Sequence, residues 1–416
     1  MVTVTGAAAC SGGSGGAQGN PSGTAKQITV AISDSPSATA LKKVAPAFTA
    51  QTGVEVKFVS LPYAQLAAKV LLSSKKSSSA FDVIQFDSPM LASLAAGGAL
   101  KDIQSQVSSS STYDVSDFPQ PVQDYAKYQG KTYAVPLSTE PYVLWYRTDL
   151  FKKLNLSTPQ TWNQYLANAK ALKAGGHEGS DSGFGAQIGA YYWLEAIYAS
   201  GGSLFHKGTC KPALDTPQAV AATKAYLEAL PYTPATAING GGNEMTTAFV
   251  QSDVGQMINA TGYYSIMNDP KQSKIPGKFA AALPPSLTGK PATLLFGWLI
   301  GVGQQSQAQQ TAWQFLDFAL GKSGMKKMIA AGAPPTGRTS LVDNPKLTKS
   351  LPYLPTLVDA SKVGTHLPYI TQMPEIITSM SADLNAAAAK KQSPAQLIKA
   401  ATADVTKVVG NATDCE

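Results

Sequence analysis

The sequence contains few charged residues, few cysteines and very few arginines. Only 14% of its 416 residues are Asp, Glu, Lys or Arg, well below the quarter that is typical of globular proteins. Because 44% of the residues are hydrophobic, the chain has enough apolar side chains for real cores and is not a highly charged disordered protein. Its length corresponds to two or three domain-sized units.

The excess of basic residues does not indicate nucleic-acid binding. The net charge is +7, but the lysines are scattered and the only two arginines are Arg147 and Arg338. A basic patch or stripe, the usual mark of a nucleic-acid interface, is missing. No run of about 18 apolar residues is present to span a membrane. We therefore expect neither a nucleic-acid partner nor a membrane-spanning helix in the body of the chain.

Motifs of the common enzyme classes are also missing. GxSxG, HExxH, Walker A and GxGxxG elements are absent, and the three histidines, His177, His206 and His366, lie far apart. Asp87 and Glu140 resemble a pair of glycosidase carboxylates, but acidic pairs occur by chance in any chain of this length. The sequence therefore predicts a protein without catalysis, cofactor or metal site, with a carbohydrate-active enzyme as the alternative.

The three cysteines, Cys10, Cys210 and Cys415, form no CxxC pair, which argues against zinc and thioredoxin-type sites. Cys10 follows a run of small residues and precedes a Gly/Ser-rich stretch, which resembles a bacterial lipoprotein signal cleaved before a lipidated cysteine. Ala7 stands where leucine is usual, and the basic and apolar parts of a signal peptide are missing. Cys210 and Cys415 then remain as a possible disulfide outside the cytosol. Free or buried thiols and an ordinary flexible tail are the alternatives.

Alternating strands and helices begin near Lys26. Residues 1–25 are rich in Gly, Ser and Ala and predict a disordered, lipoprotein-type tether. Strands are predicted at Gln27–Ile32, Val54–Val59 and Phe81–Phe86, separated by helices over residues 38–51 and 63–74. This order predicts a parallel, doubly wound sheet, in which ligands lie beyond the carboxyl ends of the strands.

Short polar turns follow these three strands. Asp34 and Ser35 follow the first, Tyr63 follows the second, and Asp87 and Ser88 follow the third. Because the carboxyl ends of parallel strands lie at one edge of a sheet, we expect these side chains to lie near one another. A second α/β region is predicted from about residue 136, and Ala-rich helices over residues 374–409.

Two segments of the first region resemble a known family. Residues 47–56, AFTAQTGVEV, are similar to the pattern F-x-x-x-T-G-I-x-V. Phe81–Ser88, followed by Leu94–Leu100, is similar to D-V-V-x-x-D and L-A-x-x-G-x-L. Both patterns are those of bacterial extracellular solute-binding proteins, family 1, the sugar-binding lipoproteins of ABC importers.

Later segments continue the same resemblance in the same order. Gly130–Leu137, Leu144–Phe151 and Pro159–Trp162 are similar to G-K-x-Y-G-x-P, L-x-Y-N-x-D-L-F and P-x-T-W, and Phe296–Val302 with Ala312–Leu316 is similar to G-G-W-x-x-x-I and A-W-x-F-L. Phe296 replaces the usual glycine, and Gly262-Tyr263-Tyr264 replaces a frequent G-P-W. Together the segments cover nearly the whole chain from residue 27 onward.

The resemblance implies an α/β, two-lobe, periplasmic-binding-protein-like fold of type II, with the ligand in the cleft between the lobes. Crossings between the lobes are expected near Leu137–Pro141, Pro291–Phe296 and Ala333–Arg338. The expected division assigns residues 26–137 to the first part of lobe 1, 138–294 to the first part of lobe 2, 295–335 to the return segment of lobe 1, and 336–416 to the C-terminal helices of lobe 2.

The same resemblance implies how such a protein works. Hinge closure about the ligand favours the closed state, which a membrane permease of the importer then recognises. The expected protein is a monomer that lies at the extracellular face of the cell membrane, lipid-anchored, or in the periplasm.

A carbohydrate is the expected ligand, with an oligosaccharide, a disaccharide and a polyol all left open. Planar aromatic rings cover the C–H faces of a sugar, and polar side chains bind its hydroxyl groups. The residues expected to do so are Asp34, Ser35, Tyr63, Gln65, Asp87, Ser88, Glu140, Tyr142, Tyr192, Trp193, Tyr263, Tyr264, Trp298 and Arg338.

Structural roles are the alternative for several of these residues. Asp87 is suited to cap the following helix, Tyr63 and Trp193 to pack, Glu140 to pair with a surface lysine, and Arg338 to form an internal ion pair. Other ligands are also open: a polyamine, a peptide, or a ferric ion held by phenolates of the pairs Tyr191–Tyr192 and Tyr263–Tyr264.

Overall fold

The computed structural model describes Met1, residues 25–75, 81–251 and 253–412, and Cys415. Cys10 and most of the predicted tether lie outside these residues. The strands are β1 (Gln27–Ile32), β2 (Glu55–Ser60), β3 (Val83–Asp87), β4 (Lys127–Tyr128), β5 (Lys131–Thr132), β6 (Val135–Pro136), β7 (Tyr142–Arg147), β8 (Gln256–Ala260), β9 (Phe279–Ala282), β10 (Thr293–Leu294), β11 (Trp298–Val302) and β12 (Gly364–Thr365).

Helices outnumber strands along the described chain. They are α1 (Pro36–Thr52), α2 (Tyr63–Ser74), α3 (Leu91–Ala96), α4 (Gln104–Ser109), α5 (Gln120–Asp124), α6 (Thr148–Lys153), α7 (Trp162–Ala174), α8 (Gly189–Ala199), α9 (Pro217–Glu228), α10 (Gly242–Gln251), α11 (Tyr264–Asn268), α12 (Gln309–Leu320), α13 (Lys322–Ala330), α14 (Pro345–Ser350), α15 (Leu354–Lys362), α16 (Met373–Lys390) and α17 (Pro394–Val409). Within the described ranges, no helix has both the length and the apolar character needed to cross a membrane.

The first sheet begins as the sequence predicts. Strand β1 pairs in parallel with β2 on one side and β3 on the other. Helix α1 starts after Ser35, whose hydroxyl accepts a hydrogen bond from the Ala38 N–H, an arrangement that satisfies one of the unpaired amides of the first turn. Apolar residues of α1 at helical spacing, among them Leu41, Val44 and Phe48, are buried in one hydrophobic core with residues of the sheet.

This sheet is not wholly parallel, which corrects the sequence-based prediction. Its order is β2-β1-β3-β11-β6, and β11 runs antiparallel to both β3 and β6. Strand β11 comes from a distant part of the chain, so no local pattern shows this pairing. The second sheet, β8-β7-β9, is antiparallel throughout.

Two hydrophobic cores divide the described chain into two lobes. The first core contains buried residues between Ile28 and Leu137 and again between Leu295 and Leu341. The second is built mainly from residues between Tyr142 and Leu294 and from the C-terminal helices. The chain therefore passes from one core to the other between β6 and β7, and returns directly after β10.

The third crossing lies further along the chain than expected from the sequence. The expected division places residues 336–341 in the second lobe, but Leu341 belongs to the first core, and both Thr339 and Ser340 hydrogen-bond to Asp117 of the first lobe. Val342 and Leu351 pack against both cores, and Tyr353 is the first residue after this segment that is buried in the second core. Even then, Leu354 and Tyr369 still pack in the first core, so the C-terminal region touches both lobes.

A disulfide fastens the end of the chain to the second lobe. Cys210 and Cys415 are bonded, with 5.1 Å between their Cα atoms, and both pack on the second core. The structure thus confirms the pairing that the sequence left as one alternative.

Candidate functional site

The segments that cross between the lobes are hydrogen-bonded to one another at the base of the cleft. The Glu140 N–H donates to the Phe296 carbonyl at 2.7 Å, and the Thr139 N–H donates to the Pro335 carbonyl at 3.3 Å. Backbone from three distant parts of the chain therefore meets at one place. Side chains on these segments are held at the boundary between the two lobes.

The first lobe contributes a carboxyl group beside two aromatic rings. Asp87 ends β3 and lies opposite Trp298 in the pairing of β3 with β11. Its Oδ2 accepts a hydrogen bond from the Tyr63 phenol at 2.9 Å, and its Oδ1 accepts one from the Ser88 N–H at 2.9 Å. The Tyr63 and Trp298 rings meet edge to face, with 6.1 Å between their centroids. Tyr63 begins α2, directly after β2, so the turns after β2 and β3 lie together.

The crossing segment contributes a second carboxyl group. Glu140 accepts a hydrogen bond at Oε1 from the Ser138 hydroxyl at 2.6 Å. Its Oε2 lies directly over Gly262, where any side chain would overlap it. In the sequence, Gly262 stands out only as part of a departure from the family pattern. Its role here is to let the Glu140 carboxyl approach the backbone.

Phe296 and Tyr191 form the aromatic face on the side of the second lobe. The Phe296 ring meets those of Tyr142 and Tyr191 edge to face, at 5.2 and 5.1 Å. The sequence favours Tyr192 and Trp193 from the same helix. These two are buried, and the Trp193 indole donates to the Thr223 hydroxyl at 2.9 Å. Successive helical residues point about 100° apart, so only the packing of α8 identifies Tyr191 as the partly exposed one.

Arg338 does not lie in the cleft, which corrects its selection as a ligand residue. Its side chain is fully buried and its guanidinium donates to the carbonyls of Tyr113 and Leu320 at 2.6 and 2.7 Å. It pairs with Asp117 at 3.3 Å and lies over the ring of Phe118 at 4.2 Å. Arg338 therefore anchors the segment before the third crossing to the first lobe.

The remaining candidates occupy varied positions. Asp34 and Gln65 are exposed, and the structure records no hydrogen bond for either side chain within the described residues. Ser35 caps α1 and accepts a hydrogen bond from Gln85 at 3.0 Å. Tyr263 is partly buried near Glu140. Tyr264 lines a cavity of about 200 Å³ whose other wall includes Ala333–Pro335 of the opposite lobe.

Burial raises the pKa of both carboxyl groups. The pKa of Asp87 rises from 3.8 to about 6, because desolvation outweighs the hydrogen bonds from Tyr63 and Ser88. The pKa of Glu140 rises from 4.5 to about 7, because desolvation and the charge of Asp87 outweigh the bond from Ser138. Neither carboxyl forms an ion pair with a described basic residue. When ionised, each of these carboxylates therefore accepts fewer hydrogen bonds than it would in water.

Replacing Asp87 by asparagine is expected to stabilise the ligand-free protein near neutral pH. The folded-state pKa of Asp87 exceeds its ordinary 3.8, so the folded protein binds the proton more tightly and loses stability as the pH rises through about 6. Asp87→Asn removes that loss. The melting temperature of the variant, measured by differential scanning fluorimetry, should exceed that of the wild type at pH 7.5, with a smaller difference at pH 4. Asp102→Asn, at an exposed position, is the control. An equal loss of stability at both pH values would contradict this account of Asp87.

Comparison with known proteins identifies the fold and the family. Residues 33–326 match the family model of the bacterial extracellular solute-binding proteins. The chain belongs to this family. A probable ABC transporter-binding protein of Deinococcus radiodurans is 26% identical over 382 residues, covering 89% of this chain and 90% of that relative. The mannitol-binding protein of Pseudomonas aeruginosa is 27% identical over 331 residues, covering 70% and 72%.

Solved structures of similar proteins share this fold. A solute-binding protein of Agrobacterium radiobacter, in complex with ribitol, aligns with a TM-score of 0.80 and 24% identity over 92% of this chain and 98% of that one. The maltose-bound MalE3 protein of T. maritima aligns with a TM-score of 0.78 and 22% identity, over 92% and 99%. This chain is thus a bacterial extracellular solute-binding protein with the two-lobe fold that these structures share.

Proposed function

We propose that this solute-binding protein captures a carbohydrate or polyol between its lobes and delivers it to a membrane permease. The observation that carries the proposal is the grouping of Tyr63, Asp87 and Trp298 of the first lobe with Glu140 of a crossing segment and Tyr191 of the second lobe. Carboxylate oxygens accept hydrogen bonds from vicinal hydroxyl groups, and aromatic faces cover the C–H surface between them. The mannitol-binding relative and the ribitol-bound neighbour support the same ligand class.

Hinge closure gives the cleft its affinity. Asp87, Tyr63 and Trp298 belong to the first lobe, whereas Tyr191 belongs to the second. A ligand contacts both sets only when the lobes approach, so it favours the closed state by its extra affinity for that state. The permease then distinguishes loaded from unloaded protein by the relative position of the lobes.

The family and the N-terminal pattern support a location outside the cytoplasm. We propose that the mature protein is a monomer held at the extracellular face of the membrane through a lipid on Cys10, which lies outside the described residues. The Cys210–Cys415 disulfide is compatible with an oxidising compartment.

The electrostatics of the ligand-free protein keep the tyrosines of the cleft neutral. Binding of iron by phenolates requires deprotonated tyrosines. Desolvation, together with nearby carboxyl charges, raises the pKa of Tyr191 above its ordinary value and that of Tyr263 to about 12. In the ligand-free protein the neutral phenol is therefore the stable form, and it can donate a hydrogen bond to a hydroxylated ligand.

A panel of ligands tests the proposed class. We expect D-mannitol, ribitol, maltose or a related sugar to raise the melting temperature of the protein, whereas spermidine does not. A ligand at 100 times its Kd adds about 2.7 kcal/mol to the free energy of unfolding, which fluorimetry detects readily. Titration calorimetry then gives the affinity. Stabilisation by spermidine with no response to any sugar or polyol would overturn the proposal.

Variants of the cleft test the site. Asp87→Ala and Trp298→Ala are each expected to weaken binding of the sugar or polyol identified in the panel by at least about tenfold, since each removes contacts worth about 1.5 kcal/mol or more. Matched controls are Asp102→Ala at an exposed position and Trp313→Ala on α12, where the Trp313 ring meets that of Tyr113 edge to face. Unchanged affinity in both cleft variants would show that the ligand binds elsewhere.

A further inference from the structure

One peptide unit in the crossing segment is bound at both of its polar atoms. The carbonyl of Gly297 accepts hydrogen bonds from the Tyr125 phenol at 2.7 Å and from the Ser88 N–H at 3.2 Å. The N–H of the same unit, which belongs to Trp298, donates to the Ser138 hydroxyl at 3.2 Å. Neither Tyr125 nor Ser138 is exposed to solvent, so water does not compete for these bonds.

The Ser138 hydroxyl links this peptide to a carboxyl group of the cleft. Its oxygen accepts from the Trp298 N–H, and its only hydrogen is donated to Glu140 Oε1 at 2.6 Å. On the other side of the peptide, Ser88 also donates its N–H to the Asp87 carboxylate at 2.9 Å. The chain of contacts therefore runs from Asp87 through the peptide before Trp298 to Glu140.

The backbone at position 297 accommodates few residues other than glycine. Gly297 has φ of +132°, a conformation that L-residues with side chains rarely adopt. A Cβ atom there would lie 2.6 Å from the Ser138 carbonyl oxygen. The close approach of the two crossing segments thus depends on glycine, and the hydrogen bonds of Ser138 depend on that approach.

We infer that Ser138 is a positioning residue of the ligand site. Its hydroxyl fixes the Glu140 carboxyl and the Trp298 backbone in one arrangement. The Glu140 carboxyl and the Trp298 ring then face the ligand together with Asp87. Tyr125 assists by holding the Gly297 carbonyl. The effect of this arrangement on ligand affinity rests on the proposed function. The two hydrogen bonds that link the Trp298 N–H, the Ser138 hydroxyl and the Glu140 carboxyl, called the relay below, do not depend on that function.

The hydrogen bond from Ser138 affects the pKa of Glu140. The bond from Ser138 favours the ionised carboxylate and lowers its pKa, against desolvation and the Asp87 charge, which raise it. The phenols of Tyr125, Tyr263 and Tyr353 also face this carboxyl. Loss of the Ser138 hydroxyl is therefore expected to raise the pKa of Glu140 above its wild-type value of about 7.

Carboxyl-carbon NMR of the ligand-free protein tests the relay directly. Ser138→Ala should raise the pKa of Glu140, Ser138→Thr should keep it near the wild-type value, and Tyr125→Phe should leave it unchanged. In the wild type, the Trp298 amide nitrogen should titrate together with Glu140. That response should vanish in Glu140→Gln and persist in Asp87→Asn. The Glu140→Gln comparison leaves Ser138 intact and serves even if Ser138→Ala does not fold.

Titration calorimetry with D-mannitol tests the effect on binding. Ser138→Ala is expected to weaken binding about tenfold, with restoration in Ser138→Thr, and Tyr125→Phe to weaken it less. A weakened Ser138→Ala variant with an unchanged Glu140 pKa would overturn the inference, as would a Trp298 amide that does not follow Glu140. If the wild type binds neither D-mannitol nor any other sugar or polyol of the panel, the proposed ligand class fails, and the NMR titration still decides the relay.

Discussion

Arg338→Ala is expected to lower the free energy of unfolding by about 3–5 kcal/mol, the range measured when one partner of a buried ion pair is removed. The Arg338 side chain is fully buried, and the carbonyls of Tyr113 and Leu320 both accept hydrogen bonds from its guanidinium. Alanine leaves those carbonyls and the Asp117 carboxylate with fewer partners. It also removes the cation from above the Phe118 ring. Urea unfolding followed by circular dichroism measures the loss.

The other arginine provides the control for this prediction. Arg147 pairs with Asp149 at 2.7 Å and approaches Asp253 at 3.9 Å, but these carboxylates have side-chain exposures of 38% and 67%. Water therefore solvates the partners when Arg147 is removed, and Arg147→Ala should cost less than Arg338→Ala. Arg338→Lys should also destabilise, because an ammonium group does not reproduce the planar donor pattern. An Arg338→Ala variant as stable as Arg147→Ala would contradict the structural role assigned to Arg338.

Loss of the disulfide is the second change with a large expected effect. The Cys210–Cys415 bond closes a loop with a sequence separation of 205 residues. Long loops gain most from closure, because the unfolded chain loses the most conformational freedom. Removal of a native disulfide commonly costs about 2–5 kcal/mol, and we expect the double variant Cys210→Ser, Cys415→Ser to fall in that range. Differential scanning calorimetry measures the corresponding fall in melting temperature.

Reduction of the wild-type protein is the matched control for the double variant. Dithiothreitol should bring the melting temperature of the wild type down to that of the variant, and should leave the variant unchanged. The affinity for a sugar or polyol should be similar in all samples, because neither cysteine belongs to the crossing segments. A double variant that melts with the wild type would show that this bond contributes nothing to stability.

Local patterns predict the first half of the first lobe well. The predicted bounds of β1 and α2 match the structure, and β2 and β3 are displaced by only one or two residues. Apolar residues at helical or alternating spacing decide these elements, and such spacing is visible in the sequence. The turns at the strand ends follow from the same spacing, which is why the sequence alone predicts that Tyr63 and Asp87 lie near each other.

Pairings between strands from distant parts of the chain cannot be predicted from local spacing. Nothing in the residues around Trp298 shows that β11 enters the first sheet antiparallel to β3, yet this pairing places Trp298 opposite Asp87. The choice among Tyr191, Tyr192 and Trp193 depends on the orientation of α8. Arg338, in contrast, is wrongly included among the ligand residues. A rare charged residue in a family-like motif suggests a ligand contact, whereas the fold buries it against three backbone carbonyls.

Periodicity and motif order are properties of the linear chain. They are therefore enough to predict the family, the α/β character of both regions, and the carboxyl and aromatic types that the cleft offers. The packing of the folded chain sets which side chains face one another across the lobes, where the third crossing lies, and how Ser138 joins two of the crossing segments. The last of these features depends on contacts between residues more than 150 positions apart, whose proximity is set by the packing of complete lobes.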